Sequence, residues 1–357
     1  MKILEVLPIL NTGGAEVFVV NLCNEFVNQN NSVTLLLFYD SENSFLRKRL
    51  SPKVKVEYIF KKKGLDISLF FKIYKYIKKN NFDAVHFHVN SIIYGLISSI
   101  KLKKCNFFAT IHNDAYKEAN GIHRFIRRIM FRRHLVHPIT ISKYSDQSFK
   151  ELYKTNSTII YNGIPQFQFT PNFSLNKFRK GINTKIIVSV ASIHPVKNEL
   201  AVARAINKLG KDGYDISLII VGRYSDKEYS QLVVKESSEF VYCIGEVNNP
   251  TDYMKESDFF ILASHYEGLP ISLLEAMSIG CIPLVTPVGG CAELISNLKN
   301  GFIIPSPSEE NIYNTIKDIL DKYPYTYSTI KQDLIINSQQ YNIKNCALKH
   351  LQIFENK

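Results

Sequence analysis

The chain has 357 residues, of which 45% are hydrophobic and 21% are charged. This balance is typical of a folded globular protein and excludes an intrinsically disordered chain. The net charge of +12 is compatible with nucleic acid, an anionic membrane or phosphorylated ligands as partners, and equally with lysine-rich solvated surfaces. No apolar run approaches the length of about 18 residues that a membrane-spanning helix needs.

The six cysteines form no C-x-x-C pair, and their spacing fits no zinc framework. We therefore expect reduced cysteines and a cytoplasmic protein. The sequence has no Asp-x-Asp, and no cluster of His, Cys and carboxylates shows ligand spacing, so we expect neither a metal nor a cofactor. The first residues, with Glu5 inside a short apolar run, predict a strand rather than a signal peptide.

Strand-like runs alternate with helical periodicity along the first half of the chain. The predicted strands are Lys2–Leu7, Val33–Phe38, Phe82–His88, Asn106–His112, Ile139–Ser142 and Thr158–Tyr161. The predicted helices are Ala15–Gln29, Leu65–Lys79, Ser91–Lys101, Ile122–His134 and Lys143–Leu152. This alternation is typical of a parallel sheet with helices on both faces.

A break follows, and the alternation then restarts. Residues 162–165 read Asn-Gly-Ile-Pro and predict a turn, and residues 166–180 lack clear periodicity, so we expect a domain boundary here. The later predicted strands are Lys185–Val190, Asp215–Val221, Phe240–Ile244, Phe259–Leu262, Ile282–Val285 and Gly301–Ile304. The later predicted helices are Glu199–Leu209, Asn249–Lys255, Ile271–Ile279, Glu309–Leu320 and Ile343–Phe354. The sequence thus predicts two Rossmann-like halves, in which ligands bind beyond the carboxyl ends of the strands.

The most informative segment, residues 267–277, reads Glu-Gly-Leu-Pro-Ile-Ser-Leu-Leu-Glu-Ala-Met and joins a predicted strand to a helix. Backbone N–H groups at such a helix start favour an anionic ligand. Glu275 lies on an apolar run and needs a partner, for which a ribose hydroxyl pair is suitable. Taken alone, the segment is equally compatible with Glu267 as a loop acid and Glu275 as a capping or ion-pair residue.

This segment resembles the E-x7-E motif of the family 4 (group 1) glycosyltransferases. Its flanks agree, because residues 280–285 resemble the family's "G.PvV" and residues 288–295 resemble its "vGG..Eli". In that family the first Glu contacts the donor sugar hydroxyls and the second contacts the ribose. The resemblance therefore assigns these roles to Glu267 and Glu275, and donor binding also to Gly268, Leu269 and Pro270.

Two motifs of the first half fit the same family. Gly13 and Gly14 resemble the glycine loop that approaches the donor phosphates, although alone they would indicate only a turn. His112 ends a strand that resembles the family's "T.H", whose histidine contacts the donor sugar; alone it would be a partly buried structural histidine. His86 and His88 resemble the "DvvH.H" strand, and we expect them to be structural or to line the cleft.

Residues 190–198 resemble the family's "vgRl…Kg" motif, in which an Arg and a Lys bind the diphosphate and stabilise the leaving group. Lys197 matches this Lys, whereas Ser192 stands at the position of the Arg. One half of the cationic clamp is therefore absent from its usual place. Arg223 is a conceivable substitute.

Residues 123–134 carry five arginines interleaved with Phe, Ile and Met. At helical spacing the apolar residues form one face and the arginines another. This pattern suits docking on an anionic lipid surface or a lipid-diphosphate acceptor, through Arg127, Arg128, Arg132 and Arg133. It equally suits an amphipathic surface helix whose apolar face packs on the sheet.

The resemblance implies the α/β fold called GT-B, with two Rossmann-like domains whose parallel sheets face each other across a cleft. Residues 1–165 would bind the acceptor and would be completed by a C-terminal helix within 336–357, and residues 166–335 would bind the donor. The implied activity is retaining, metal-independent transfer from a nucleotide-sugar, commonly a UDP-sugar, to a glycan or lipid-linked glycan in surface polysaccharide biosynthesis. The implied catalytic residues are His112, Lys197 and Glu267, in an enzyme that works at the inner membrane face.

Other functions fit the sequence less well. A non-catalytic, two-lobed nucleotide- or sugar-binding protein of the same fold is the main alternative, and the paired glutamates count against it. The E-x7-E segment also counts against an epimerase, and no pyridoxal-phosphate lysine motif supports a phosphorylase. Finally, no nucleic-acid-binding motif is present, so we expect no nucleic-acid partner.

Overall fold

The structure is a computed structural model that describes residues 1–323 and 326–356. The chain divides into two compact units: the first comprises Met1–Pro165 together with the chain from Tyr341 onward, and the second comprises Gln166–Gln340. The chain rejoins the first unit at Tyr341 rather than at 336, because a helix over Tyr327–Ser338 belongs to the second unit. Residue 357 of the predicted return lies outside the described residues.

The described part of the first unit contains a seven-stranded parallel sheet. Its strands are β1 (Lys2–Leu7), β2 (Ser32–Leu37), β3 (Lys55–Tyr58), β4 (Ala84–His88), β5 (Asn106–Ile111), β6 (His137–Thr140) and β7 (Thr158–Ile159). They lie in the order β3-β2-β1-β4-β5-β6-β7. The order reverses between β1 and β4, the kind of position at which doubly wound sheets bind ligands.

The described part of the second unit contains a six-stranded parallel sheet. Its strands are β8 (Lys185–Val190), β9 (Ile216–Val221), β10 (Val241–Gly245), β11 (Phe259–Leu262), β12 (Ile282–Val285) and β13 (Phe302–Ile303). They lie in the order β10-β9-β8-β11-β12-β13, so the order reverses between β8 and β11. The loops that follow these two strands therefore begin at the switch point of the sheet.

Helices connect the strands. Those of the first unit's main segment are α1 (Gly14–Asn28), α2 (Phe45–Arg49), α3 (Ile67–Asn80), α4 (Leu96–Lys101), α5 (Ala115–Glu118), α6 (Gly121–Arg132) and α7 (Lys143–Tyr153). The rest are α8 (Glu199–Lys211), α9 (Lys227–Lys235), α10 (Pro250–Lys255), α11 (Ile271–Ile279), α12 (Cys291–Leu294), α13 (Glu309–Lys322), α14 (Tyr327–Ser338) and α15 (Ile343–Glu355). None of the described helices is long and apolar enough to cross a membrane.

The last helix, α15, packs on the first unit. The ring of Phe354 lies 5.8 Å from that of Phe26 on α1 and 4.4 Å from that of Phe108 on β5. Gly163 permits this approach, because a Cβ there would lie 2.6 Å from the Cα of Ile343. Burial of these aromatic side chains binds the end of the chain to the first sheet.

The predicted α/β architecture of two Rossmann-like parallel sheets is confirmed. The central strands are buried along nearly their whole length and are mainly apolar, as expected for parallel strands covered on both faces. One strand, β3, and five helices, α2, α5, α9, α12 and α14, were not predicted. Residues 55–58 read Lys-Val-Glu-Tyr and form an edge strand without a buried face, so they carry no clear apolar pattern.

Candidate active site

Glu267 is a nearly buried acid in the loop between β11 and α11, with 6% of its surface exposed. The Lys197 ammonium lies 2.6 Å from Oε1 and 2.8 Å from Oε2 of this carboxylate. The hydroxyl of Ser264 donates a third hydrogen bond to Oε1, at 2.6 Å. A buried carboxylate needs such partners, so these contacts explain how the charge is held in place.

The loop that carries Lys197 is fixed by backbone contacts. The backbone N–H of His265 donates to the Val196 carbonyl at 2.8 Å and so ties this loop to the loop of Glu267. Asn198 adopts a left-handed conformation with φ 65°, and its amide donates to the Pro307 carbonyl at 2.7 Å. Lys197 and Glu267 are thus held on two joined loops that follow β8 and β11.

Two glycines allow a third loop to pack on the Glu267 loop. A Cβ at Gly289, where φ is +53°, would lie 2.0 Å from the Glu267 carbonyl oxygen. A Cβ at Gly290 would lie 2.4 Å from the Gly268 carbonyl oxygen, which accepts a 2.7 Å hydrogen bond from the Gly290 N–H. The "vGG" pattern is therefore required by backbone-to-backbone contact at the site.

Helix α11 begins directly after this loop, with Pro270 as its N-cap residue. The first N–H groups of a helix have no partner within the helix, which makes this end suitable for an anionic ligand. Glu275 lies within α11, with 6% of its surface exposed. The predicted donor residues Gly268, Leu269 and Pro270 are buried around the same helix start.

Ser192 follows β8 and is half-buried. The adjacent loop after β9 carries Arg223, whose carbonyl accepts a 2.8 Å hydrogen bond from the Ile193 N–H. The Nε atom of Arg223 is buried without a hydrogen-bond partner within the described residues. Arg223 therefore follows β9, the strand next to β8, after which Ser192 stands at the position of the family's Arg.

In the first unit, Gly13 and Gly14 lie at the start of α1. Gly13 is the N-cap residue with extended backbone, and its carbonyl accepts a 3.0 Å hydrogen bond from the Val17 N–H. Gly14 is exposed. The acid of Glu16 lies in the first turn, where the helix dipole favours a negative charge.

His112 follows β5 and ends a chain of buried hydrogen bonds. Its Nε2 atom lies 2.9 Å from Nδ1 of His88, and Nε2 of His88 lies 2.6 Å from Oε2 of Glu5. Glu5 and His88 are fully buried on β1 and β4, whereas His112 is half-buried. Burial, with the neighbouring histidines, lowers the pKa of His88 to about 4 and that of His112 well below its ordinary value.

Glu118 and Arg127 fix the backbone next to His112 and next to His88, the two histidines of this series of hydrogen bonds. Oε2 of Glu118 accepts hydrogen bonds from the N–H groups of His112 at 2.8 Å and Asn113 at 3.3 Å. The guanidinium of Arg127 lies 3.2 Å from Oε1 of Glu118 and donates to the Val89 carbonyl at 2.5 Å. Arg127 thereby links the residue after His88 to the backbone of His112.

The prediction that Arg127 contacts a membrane or acceptor is therefore wrong. Its side chain is fully buried, because α6 directs it inward to Glu118 and Val89. The other three predicted arginines, Arg128, Arg132 and Arg133, are exposed. The same helix exposes 49% of Ile122 and 60% of Phe125.

Glu5, His86 and His88 have the side-chain types and the proximity of a metal site. Two ligands of a tetrahedral zinc ion, at about 2.0–2.1 Å from the metal, would be roughly 3.3 Å apart. The separation of 2.6 Å between Glu5 and His88 is instead that of a direct, charge-assisted hydrogen bond. The geometry described here is that of a hydrogen-bonded network.

Sequence reasoning did not assign the supporting residues Glu5, His88, Glu118 and Arg127 to the site. One signal was present, because an acid within the apolar run of β1 requires a buried partner. The His-x-His spacing of β4 then places two imidazoles on one face of a neighbouring strand. Nothing in the sequence distinguished Arg127 from the four other arginines of its segment.

Two protein-family models match almost the whole chain between them. The family described as "Glycosyltransferase Family 4" matches residues 12–166, and "Glycosyl transferases group 1" matches residues 172–337. The Staphylococcus aureus capsular polysaccharide biosynthesis glycosyltransferase CapH is 28% identical over 281 residues, which cover 72% of this chain and 75% of that protein.

A second relative is the Escherichia coli UDP-Gal:alpha-D-GlcNAc-diphosphoundecaprenol alpha-1,3-galactosyltransferase. It is 24% identical over 302 residues, which cover 78% of this chain and 74% of that protein. The crystal structure of Anabaena Alr3699/HepE in complex with UDP and glucose matches with a TM-score of 0.81 and 17% identity over 100% of both chains. This likeness confirms the predicted GT-B fold class. The two family models together match residues 12–166 and 172–337, so the chain belongs to the family 4, group 1 glycosyltransferases.

Proposed function

We propose that this chain is a retaining, metal-independent glycosyltransferase that moves a sugar from a UDP-sugar to a lipid-linked glycan in surface polysaccharide biosynthesis. The observation that carries the proposal is the ion pair between partly exposed Lys197 and nearly buried Glu267, at the switch point of the second sheet. The pair combines a cation, a hydrogen-bond acceptor and an adjacent helix start within a few residues. A nucleotide-sugar requires these three features for its diphosphate and its sugar hydroxyls.

In this proposal Glu275 accepts hydrogen bonds from the ribose hydroxyls, and Glu267 accepts them from hydroxyls of the donor sugar. His112 and the glycine loop at Gly13 and Gly14 make further donor contacts. Two relatives support uridine as the base: the HepE crystal contains UDP, and the E. coli relative is named for UDP-Gal. The experiment below tests uridine against other bases.

The departing UDP gains negative charge as the glycosidic bond to the donor breaks. In the proposed site, the Lys197 ammonium and the N–H groups at the start of α11 stabilise this charge without a metal ion. The guanidinium of Arg223 lies on the neighbouring loop and is proposed to supply the second cation in place of Ser192. We propose no enzymic nucleophile.

The acceptor and the cellular site also belong to the proposal. The E. coli relative is named for a diphosphoundecaprenol-linked acceptor, which supports a lipid-linked glycan here. We propose that the protein is cytoplasmic and touches the inner membrane face through α6. There, exposed Arg128, Arg132 and Arg133 would meet anionic headgroups, and exposed Ile122 and Phe125 would enter the interface.

The experiment is a transfer assay with UDP-sugars, GDP-sugars and ADP-sugars and an undecaprenyl-diphosphate-linked acceptor, with EDTA present throughout. The expected result is transfer from one UDP-sugar with the anomeric configuration retained, as read by proton NMR of the product. Inversion would contradict retention, and a requirement for added Mg²⁺ or Mn²⁺ would contradict metal independence. Nucleotide binding without any transfer would favour the non-catalytic alternative, for which the Ser192 substitution is the motivating observation.

A further inference from the structure

The chain of hydrogen bonds behind His112 is longer and more buried than a single histidine contact requires. It runs from the carboxylate of Glu5 through His88 to His112, across β1, β4 and the end of β5. The two distances are 2.6 Å and 2.9 Å, and both Glu5 and His88 are fully buried. Water is therefore excluded from Glu5 and His88. Each proton between them must lie on the Glu5 carboxylate or on a ring nitrogen of His88.

The carboxylate of Glu5 determines where those protons lie. Burial alone would raise its pKa, but the charge of His86 and the hydrogen bonds from His86 and His88 outweigh this and lower it to about 2. An ionised carboxylate only accepts hydrogen bonds, so Nε2 of His88 must carry a proton. The neutral His88 ring then has an unprotonated Nδ1, which is an acceptor.

The same reasoning extends to His112. Because Nδ1 of His88 accepts, Nε2 of His112 must donate, and Nδ1 of His112 is left without a proton. Within residues 1–323 and 326–356, this Nδ1 atom makes no hydrogen bond with the protein. A half-buried ring with a fixed acceptor nitrogen is suited to a ligand group that donates, such as a hydroxyl.

We propose that Glu5 and His88 are positioning residues that hold His112 as its Nε2–H tautomer, so that Nδ1 accepts a hydrogen bond from a substrate hydroxyl. The hydrogen bond from a substrate hydroxyl rests on the proposed function, whereas the tautomer of His112 does not. A ligand without a hydroxyl at the contacted position would leave Nδ1 of His112 unpaired. The site would discriminate against it.

His86 also contacts Glu5 but does not contact His112 through a hydrogen bond. Its Nδ1 atom lies 3.3 Å from Oε1 and 3.2 Å from Oε2 of Glu5, and its Nε2 atom lies 2.7 Å from the Thr110 hydroxyl. Thr110→Val therefore removes a hydrogen bond of His86 without touching the bonds that reach His112. This substitution provides a matched control for a loss of stability in the buried network.

The test is NMR of the full chain labelled with 15N-histidine, near neutral pH and without substrate, with the His112 signals assigned through His112→Gln. Ring 15N shifts distinguish protonated from unprotonated nitrogens. The expected wild-type result is a protonated Nε2 and an unprotonated Nδ1 on His112. Glu5→Leu should produce a mixture of tautomers, and Thr110→Val should keep the wild-type pattern.

Kinetics supply the second readout. With UDP-sugar and acceptor, Glu5→Leu should lower kcat roughly 10-fold or more, the size typical of losing an outer-shell orienting group, and should leave UDP affinity unchanged. A protonated Nδ1 on wild-type His112 would overturn the inference even if no variant folds, and so would an unchanged tautomer in Glu5→Leu. Absence of transfer by the wild type would defeat the proposed function alone, because the tautomer is measured without substrate.

Discussion

The Lys197 ammonium contacts both carboxylate oxygens of Glu267, at 2.6 Å and 2.8 Å. In the proposed reaction these two groups bind different parts of the donor, the diphosphate and the sugar. Their pairing keeps a nearly buried carboxylate satisfied and holds both side chains in place. In the proposed reaction the diphosphate would become the partner of Lys197 and the sugar hydroxyls would become those of Glu267, so neither charge would be left unpaired.

Breaking this pair should affect stability as well as activity. Removing one partner of a buried ion pair costs about 3–5 kcal/mol, and since Lys197 is partly exposed we expect about 2 kcal/mol for Lys197→Met. The matched double variant Lys197→Met with Glu267→Gln should recover part of this loss, because no charge is then left unpaired. Urea unfolding measures the free energy of unfolding of the single and the double variant. Equal losses of unfolding free energy in the single and double variants would contradict a coupled pair.

The loop that carries Gly289 and Gly290 packs against Glu267 and should tolerate no side chain at Gly289. Gly289→Ala would place a Cβ 2.0 Å from the Glu267 carbonyl oxygen, so it should displace this loop and abolish transfer. Gly213→Ala is the matched control, because Gly213 also has a positive φ but no atom of the described residues lies within 4 Å of its Cβ position. Both variants share the backbone strain of about 1–2 kcal/mol. If Gly289→Ala kept wild-type activity, the loop packing would not be essential to the site.

Replacing Arg127 should lower stability, whereas replacing its exposed neighbours Arg128, Arg132 and Arg133 should lower membrane binding instead. Arg127→Met leaves Glu118 without its cation, so we expect the free energy of unfolding to fall by about 3 kcal/mol. The triple change of Arg128, Arg132 and Arg133 to Ser should leave stability within about 0.5 kcal/mol, because surface substitutions cost little. The triple variant should instead detach from anionic liposomes in flotation. Unchanged liposome binding would eliminate α6 as the membrane contact.

Acid should destabilise the first unit through its buried histidines. Burial, together with the neighbouring His86, lowers the pKa of His88 to about 4 and that of His350 to about 3. A depressed folded pKa means that this stability is fully present above about pH 6.5 and is lost as the pH falls toward 4. Each group contributes a slope of about 1.4 kcal/mol per pH unit in that window.

His350→Phe tests this pH dependence in the least disruptive way. The Nε2 atom of His350 is buried without a hydrogen-bond partner among the described residues, so Phe removes an unsatisfied group. Urea unfolding at several pH values from 7.5 to 5, in wild type and variant, should show a shallower loss in the variant. Glu199, whose pKa burial raises to about 8, contributes an opposite slope that is common to both proteins. Identical slopes would show that His350 does not titrate on unfolding.

Much of the fold was predictable because buried parallel strands are apolar and are separated by amphipathic helices. Strands β8, β11 and β12 and helix α11 have the predicted bounds. The edge strand β3 was not found, since an edge strand with partly exposed faces lacks that pattern. The return of the chain was placed too early because α14 carries little periodicity of its own.

Local motifs pointed to Lys197 and Glu267, whereas the supporting residues around His112 are brought together only by the fold and carry no local motif. Lys197 and Glu267 were both identified, but their direct contact depends on the adjacency of β8 and β11. The role of Arg127 was misassigned because a helical pattern tells which residues share a face, not which arginine meets an acid on another segment. Glu5 and His88 are 83 positions apart in the chain, and only the β1–β4 pairing joins them.

Calorimetric titration of UDP, GDP, ADP and CMP into the wild type and Glu275→Gln, with EDTA present, tests the central claim most directly. The matched control is Glu310→Gln, an exposed acid at the start of α13. The account predicts binding of UDP to the wild type and the control, and at least about a 10-fold weaker affinity for Glu275→Gln, as expected for a lost charged hydrogen bond. Equal UDP affinity in all three proteins, or no nucleotide binding by the wild type, would contradict the donor site described here.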